Sequence, residues 1–208
     1  MLTVERGVTL RTIESYRRDL DLFEKFLGKL LDQERSSDKG ENVSEMSNET
    51  AGHHYTPREV IRLMVNLIFS EEKDKLKGKG LIRSVYDPAC GTGGMLTIAK
   101  EHIHKEINKD MNVILFGQEE NEETYAVAKS DMLISGENPD NIKLGTSFSK
   151  DGFLGKKFDY MFSNPPFGVS WKKEQNFIKN EAGDPNGRFS AGLPSTNDGA
   201  LLFLQHMI

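Results

Sequence analysis

The residues with the most chemical content stand late in the chain, in Ser163-Asn164-Pro165-Pro166-Phe167-Gly168, which closes a short apolar run, Phe158-Asp159-Tyr160-Met161-Phe162. Two successive prolines remove two backbone donors and fix two φ angles, so the chain leaves a strand stiffly here. Such a turn holds the Asn164 amide and the Phe167 ring in fixed relative positions. A side-chain acceptor beside a flat aromatic face suits a planar base that carries an exocyclic amino group. The same residues also fit a Pro-rich turn that merely ends a strand, and the motif alone leaves both readings open.

A second chemical stretch lies upstream. Leu81-Ile82-Arg83-Ser84-Val85-Tyr86 reads as a strand that runs into Asp87-Pro88-Ala89-Cys90-Gly91-Thr92-Gly93-Gly94, and Leu96, Ala99, Ile103 and Ile107 then recur at helical spacing. Strand, glycine-rich turn and helix make the nucleotide-binding arrangement of a doubly wound sheet. Gly91, Gly93 and Gly94 let backbone approach a ligand without a Cβ in the way. The pattern is neither G-x-G-x-x-G nor a P-loop with its lysine. An acidic residue at the strand end would repel a pyrophosphate, so Asp87 suits a cation such as an α-ammonium group. Cys90 reads as a small buried residue of the turn rather than a reactive thiol.

These two stretches need elements to position them. In His53-His54-Tyr55-Thr56-Pro57-Arg58-Glu59, Thr56 and Glu59 have capping-box spacing, with Pro57 at the first helical position. The helix they open carries Val60, Ile61, Met64, Val65 and Ile68 on one face. A helix start is an anion site because its amides are unpaired, although a well-capped helix without a ligand satisfies the same pattern. The adjacent histidines lack a Cys, Asp or Glu set at ligand spacing, so no metal is expected. A second strand, Asn112 to Gly117, ends at Gln118-Glu119. Glu119 falls roughly 25 residues past the glycine turn, where an acidic side chain can grip ribose hydroxyls, and Glu120 reads as solvated. A helix from Glu122 to Ser135 should bury Tyr125, Ala128, Met132 and Leu133 and stop at Gly136. Ile142-Lys143-Leu144 is a brief third strand, followed by the loop Gly145-Thr146-Ser147-Phe148, and the run from Phe158 to Ser163 is the fourth.

The N-terminal part differs in kind. Ile13, Tyr16, Leu20, Phe23, Leu27 and Leu30 form a helical stripe suited to packing or association, and the segment 32–52 is a Ser-, Asn- and Glu-rich linker. The division expected is therefore a helical segment 1–31, a flexible linker 32–52 and a catalytic domain 53–208. The 208 residues carry a net charge of −5, so nucleic-acid contact cannot rest on overall charge and needs a local basic patch or a basic partner. The single cysteine excludes an intramolecular disulfide framework and suits a reducing cytoplasm. No apolar run approaches membrane-span length and no signal-peptide pattern opens the chain, so a cytoplasmic location without membrane contact is expected.

Tyr55-Thr56-Pro57, Asp87 to Gly94, Gly117-Gln118-Glu119 and Asn164-Pro165-Pro166-Phe167-Gly168 occur in that order, and Gly187-Arg188-Phe189 and the ending Asp198 to His206 follow. Together they resemble the S-adenosylmethionine-dependent DNA adenine-N6 methyltransferases, and more narrowly the modification subunit of type I restriction-modification systems. The resemblance covers roughly Gly52 to Ile208. It implies a Rossmann-like α/β methyltransferase fold, here with an incomplete sheet and truncated catalytic domain, preceded by the N-terminal helix and linker. It implies N6 methylation of a flipped adenine in double-stranded DNA. The implied partners are a specificity subunit, a second modification subunit and a restriction subunit. His54, Tyr55, Thr56, Pro57 and Arg58 would border the methionine carboxylate of the cofactor. Asp87, Pro88, Ala89, Gly91, Thr92, Gly93 and Gly94 would line its methionine end, and Glu119 would take the ribose hydroxyls. Asn164 and the Pro165 carbonyl would accept from the target amino group, Pro166 would stiffen the turn, and Phe167 would stack on the base. Relatives commonly place Asp or Asn, able to bond the cofactor adenine, where this chain has Thr146; Asp151 lies too far along to replace it. A protein-glutamine methyltransferase presents a similar planar amide to such a turn, but Phe167 in place of Tyr and the Gln205-His206 ending count against it. A non-catalytic assembly module is the other alternative.

Overall fold

Among the described residues, four strands form a parallel sheet: β1 (Ile82–Asp87), β2 (Asn112–Glu119), β3 (Ile142–Leu144) and β4 (Tyr160–Met161), in the spatial order β3-β2-β1-β4. The computed structural model describes residues 56–70, 72, 74–166 and 168–208. The expected helical segment 1–31, the linker 32–52, His53, His54, Tyr55 and Phe167 lie outside these. β1 is central, paired from Ile82↔Asn112 to Asp87↔Gly117 on one side and with Tyr160 and Met161 on the other. Because all pairings are parallel, Asp87, Glu119, Leu144 and Met161 end at one edge of the sheet. The strand order reverses between β1 and β4, which opens a crevice there for a ligand.

Three helices cover one face. Ile61, Val65 and Phe69 of α1 (Arg58–Ser70), Leu96 and Ala99 of α2 (Gly94–His102), and Ala128 and Met132 of α3 (Glu122–Ile134) pack with Val85, Val113 and Leu115 in one buried cluster. Tyr86 and Phe116 are register partners and so share a face, where they pack with Phe153 and Phe158. Buried residues on both faces are what a parallel sheet requires. A second cluster of Phe148, Trp171, Ile178, Phe189, Leu202 and Phe203 holds α4 (Gln175–Ala182) and α5 (Ala200–His206) to the loop after β3.

The local expectations hold for β3 to the residue and for β1, β2 and α3 within two residues. Several shift. The Pro57 carbonyl accepts from the amides of Val60 and Ile61, so Pro57 is the cap of α1 and the Thr56 hydroxyl is free to act elsewhere. The helix after the glycine turn ends at His102 and continues as a π-turn, Ile103–Ile107, closed by the Asn108 amide on the Ile103 carbonyl. On α3 the buried stripe is Thr124, Ala128 and Met132, spaced four apart, which turns Leu133 outward to 63% exposure. β4 is shorter than the apolar run: Phe158 leaves to stack on Tyr86 at 4.4 Å, and Asp159 accepts from the Ser84 amide and hydroxyl. α4 had no clear sequence signal, and α5 lies within the ending Asp198 to His206.

One glycine in the sheet shows how tightly the strand ends are packed. A Cβ on Gly117 would lie 2.8 Å from Cys90 Sγ and 3.0 Å from both Cys90 Cβ and Ile142 Cδ1. Overpacking at Gly117→Ala should cost about 1–3 kcal/mol, read from denaturant unfolding. Unchanged stability would show that the Cys90 turn shifts freely.

Candidate active site

Asp87 ends the central strand and is 1% exposed. Its Oδ1 accepts from the Ala89 amide at 3.0 Å and the Ser163 hydroxyl at 2.7 Å. Its Oδ2 is buried with no hydrogen-bond partner among the described residues. Burial pushes the Asp87 carboxyl up to about 7; the Ser163 and Ala89 hydrogen bonds pull the other way, and the charge of Glu119 adds to the rise. An orphaned acceptor in a buried site asks for a donor, and a cationic one would meet the unshielded charge best. Pro88 is buried and Ala89 half-buried. The Cys90 amide donates to the Gln118 carbonyl, and burial raises the Cys90 thiol well above its ordinary range.

The glycine turn folds over this carboxylate and onto β2. Gly91 and Gly93 have φ of 56° and 82°, the left-handed region that glycine adopts at least cost. A Cβ on Gly91 would meet nothing within 4 Å, so a ligand can approach this backbone, while Gly93 faces Met132 and Ala128 of α3. Thr92 is exposed, and Gly94 opens α2 half-buried. Glu119 binds across the turn: its Oε2 accepts from the Gly91 amide at 3.0 Å and its Oε1 from the Asn121 amide at 2.8 Å. Each oxygen keeps a lone pair for an outside donor. Glu120 is exposed, as expected.

The Asn164-Pro165-Pro166 turn is joined to the same place. Ser163 immediately precedes Asn164, so its bond to Asp87 ties the turn to the top of β1. Asn164 is exposed, and its Nδ2 donates to the Thr56 hydroxyl at 3.1 Å. That contact commits the amide nitrogen and leaves Oδ1 as an acceptor. Pro165 and Pro166 are half-buried; Pro57 is exposed, and exposed Arg58 lies 3.9 Å from Glu101 of α2. The structure therefore brings Gly91 and Glu119 into direct contact, holds Asp87 against Ala89 of the same turn, and joins Asp87 through Ser163 to Asn164 and Thr56. It turns Arg58 elsewhere.

The loop after β3 completes the rim. Gln118, fully buried, donates to the carbonyls of Gly145 and Lys150 and accepts from the Gly152 amide, which folds that loop onto β2. The Ser147 hydroxyl donates to the Pro88 carbonyl. Arg188 clips the other side, with Nε on Glu181 at 2.6 Å, Nη1 on the Ser147 carbonyl at 2.9 Å and Nη2 on the Phe148 carbonyl at 2.6 Å. A Cβ on Gly187 would lie 1.9 Å from the Glu181 carbonyl oxygen, and Phe189 is fully buried, so each residue of Gly187-Arg188-Phe189 has a packing reason. Asp151 pairs with Arg188 at 3.5 Å and caps the Phe153 amide, so it serves this clip. Sequence spacing did not single out Ser163, Gln118 or Ser147. The one available signal was position, since Ser163 and Gln118 adjoin Asn164 and Glu119.

Residues 41–208 match the N-6 DNA Methylase family. The chain belongs to that family. It is 30% identical over 192 residues to the type I restriction enzyme MjaIX methylase subunit of Methanocaldococcus jannaschii, covering 90% of this chain and 29% of that protein. It is 31% identical over 160 residues to the HindI methylase subunit of Haemophilus influenzae, covering 76% of this chain and 32% of that protein. The N-6 DNA methylase chain thus spans about three-tenths of the length of these curated relatives. Among solved structures, it superposes on the type I restriction-modification system methyltransferase subunit from Streptococcus thermophilus with a TM-score of 0.58 and 27% identity, over 79% of this chain and 33% of that one. The fold is the Rossmann-like α/β fold of S-adenosylmethionine-dependent methyltransferases.

A carboxyl raised in the fold stays neutral there while the unfolded chain has already ionised, so its contribution to stability is present below pH 4 and lost as pH rises through about 7. Between pH 5.5 and 8 this group should remove about 2 kcal/mol of unfolding free energy, by the usual 1.4 kcal/mol per pH unit. Asp87→Asn should flatten that part of the profile in chemical denaturation. An identical profile in the variant would show that Asp87 is not buried as described.

Proposed function

We propose that this chain is catalytic machinery of a type I modification subunit, which transfers a methyl group from S-adenosylmethionine to the N6 amino group of adenine in DNA. The observation that carries the reading is the Ser163 hydroxyl bond to Asp87. It couples an orphaned buried carboxylate, fit for a cationic ligand, to a stiff turn that offers an amide oxygen to solvent. Membership of the N-6 DNA methylase family and similarity to type I methylase subunits agree with it.

The residues present fit the methyl donor. Asp87 Oδ2 would take its α-ammonium group, the open backbone at Gly91 admits it, and the free lone pairs of Glu119 would take its ribose hydroxyls. Pro88, Ala89, Thr92, Gly93 and Gly94 would shape that wall, and His54, Tyr55 and Pro57 would border its carboxylate, with the Arg58 side chain turned to Glu101. When bound, S-adenosylmethionine supplies an electrophilic methyl group on a sulfonium. A cation beside Asp87 would also restore the ionised carboxylate that burial disfavours.

The rest of the chemistry belongs to the turn. The adenine amino nitrogen is a poor nucleophile because its lone pair is delocalised into the ring. Asn164 Oδ1 and the Pro165 carbonyl would accept from its two hydrogens, which raises electron density on nitrogen and favours a pyramidal geometry. Pro165 and Pro166 keep these acceptors from relaxing. Thr56 fixes the Asn164 amide with its oxygen outward. The base must leave the duplex to reach an exposed Asn164, at a cost of a few kcal/mol. Stacking on Phe167 would return roughly 1–3 kcal/mol of that. In-line transfer then depends on positioning more than on a strong base. With a net charge of −5, the chain would depend on a specificity subunit for DNA affinity, and a second modification subunit and a restriction subunit are the further partners of such a complex. The cytoplasm is the matching location.

The test is methyl transfer to DNA adenine by the intact modification subunit assembled with its specificity subunit. Asn164→Ala should lower transfer about a hundredfold or more while donor binding persists. Thr56→Val should lower it less, and Thr56→Ser should restore it. Undiminished transfer by Asn164→Ala would remove the turn from the reaction.

A further inference from the structure

Glu174, at the entry to α4, holds a carboxylate against the loop that follows β3. The Thr146 hydroxyl donates to its Oε2 at 3.1 Å, and the Ser149 hydroxyl donates to its Oε1. Glu174 is half-buried, and among the described residues no cation pairs with it. Two donors from one loop thus fix an acceptor that has no partner of opposite charge. The Phe148 amide also bonds the Thr146 hydroxyl, which sets the rotamer of the residue that steadies it.

The position of this carboxylate follows from the sheet. The strand tops stand in the order β4, β1, β2, β3, each about 4.8 Å from the next. On the proposed reading, the top of β1 takes the ammonium end of the donor through Asp87 and the top of β2 takes its ribose through Glu119. The base is attached to the ribose, so continuing in the same direction it would reach the top of β3. That loop is joined to Glu119 by the Gly145 amide on the Glu119 carbonyl at 2.9 Å, and Thr146 is the next residue. The carboxylate that Thr146 and Ser149 hold would then stand at the far edge of the base. It attracts a hydrogen-bond donor and repels a lone pair, which distinguishes an amino group from a keto oxygen.

We infer that Glu174 accepts a hydrogen bond from the 6-amino group of the methyl donor's adenine and selects an aminopurine donor over its 6-keto counterpart. This rests on the proposed assignment of Asp87 and Glu119 to the donor. Titration calorimetry of the chain with S-adenosyl-L-homocysteine and with S-inosyl-L-homocysteine tests it, because the ratio of the two affinities does not depend on the fraction of folded protein. The wild-type chain should prefer the adenosyl compound at least tenfold. Glu174→Ala should bring that ratio close to one. Glu174→Gln, which keeps the side-chain length and can donate as well as accept, should also shrink it. A ratio unchanged in both variants, or a wild-type ratio of one, overturns the inference and leaves the proposed function standing. Failure of the wild-type chain to bind S-adenosyl-L-homocysteine overturns the assignment of Asp87 and Glu119, and the inference with it.

Discussion

Burying a carboxylate at the end of the central strand is expensive, and the architecture around Asp87 offsets that cost only in part. One oxygen receives the Ala89 amide and the Ser163 hydroxyl; the other receives nothing within the described chain. The imbalance explains why a raised carboxyl persists in a well-packed fold. A site satisfied by its own protein would have no affinity to give a ligand, whereas half-satisfaction stores it. Ser163 does two things at once, because the group that stabilises Asp87 is also the residue that starts the Asn164 turn. The Asp87 carboxylate and the Asn164 turn are thereby one unit of structure.

The parallel sheet makes this possible. It delivers four loops to one edge, and the chain ties them together crosswise. Glu119 reaches from β2 to the Gly91 amide, Gln118 binds the loop after β3, and Ser147 returns from that loop to the Pro88 carbonyl. Arg188 adds a clamp from outside the sheet, and the left-handed glycines supply the backbone that such close crossings need. Gly117 and Gly187 serve a different purpose: any Cβ there collides with a neighbour.

Much of this was legible before any coordinates. Strands flanked by glycine and charge declared themselves, and so did Asp87 before the glycine turn, Glu119 by its distance past that turn, and Asn164 by the two prolines that follow it. The misses share a cause. Ser163 with Asp87, Asn164 with Thr56 and Thr146 with Glu174 are separated by 76, 108 and 28 residues, and local spacing carries no trace of them. Leu133 was misplaced because two adjacent apolar residues on a helix compete for one buried position, and Met132 wins by aligning with Thr124 and Ala128. The fourth strand came out short because ring stacking with Tyr86 outweighed the β-propensity of Phe158. The Thr56 capping box did not form because the Pro57 carbonyl takes the first helical amides, which leaves the Thr56 hydroxyl to Asn164.

The most direct measurement is a crystal structure of the chain with S-adenosyl-L-homocysteine. The ammonium group should lie within hydrogen-bond distance, about 2.7–3.2 Å, of Asp87 Oδ2, with the ribose hydroxyls on Glu119. A ligand bound elsewhere, or one bound at this edge with Asp87 Oδ2 still unpartnered, would contradict the role given to that carboxylate.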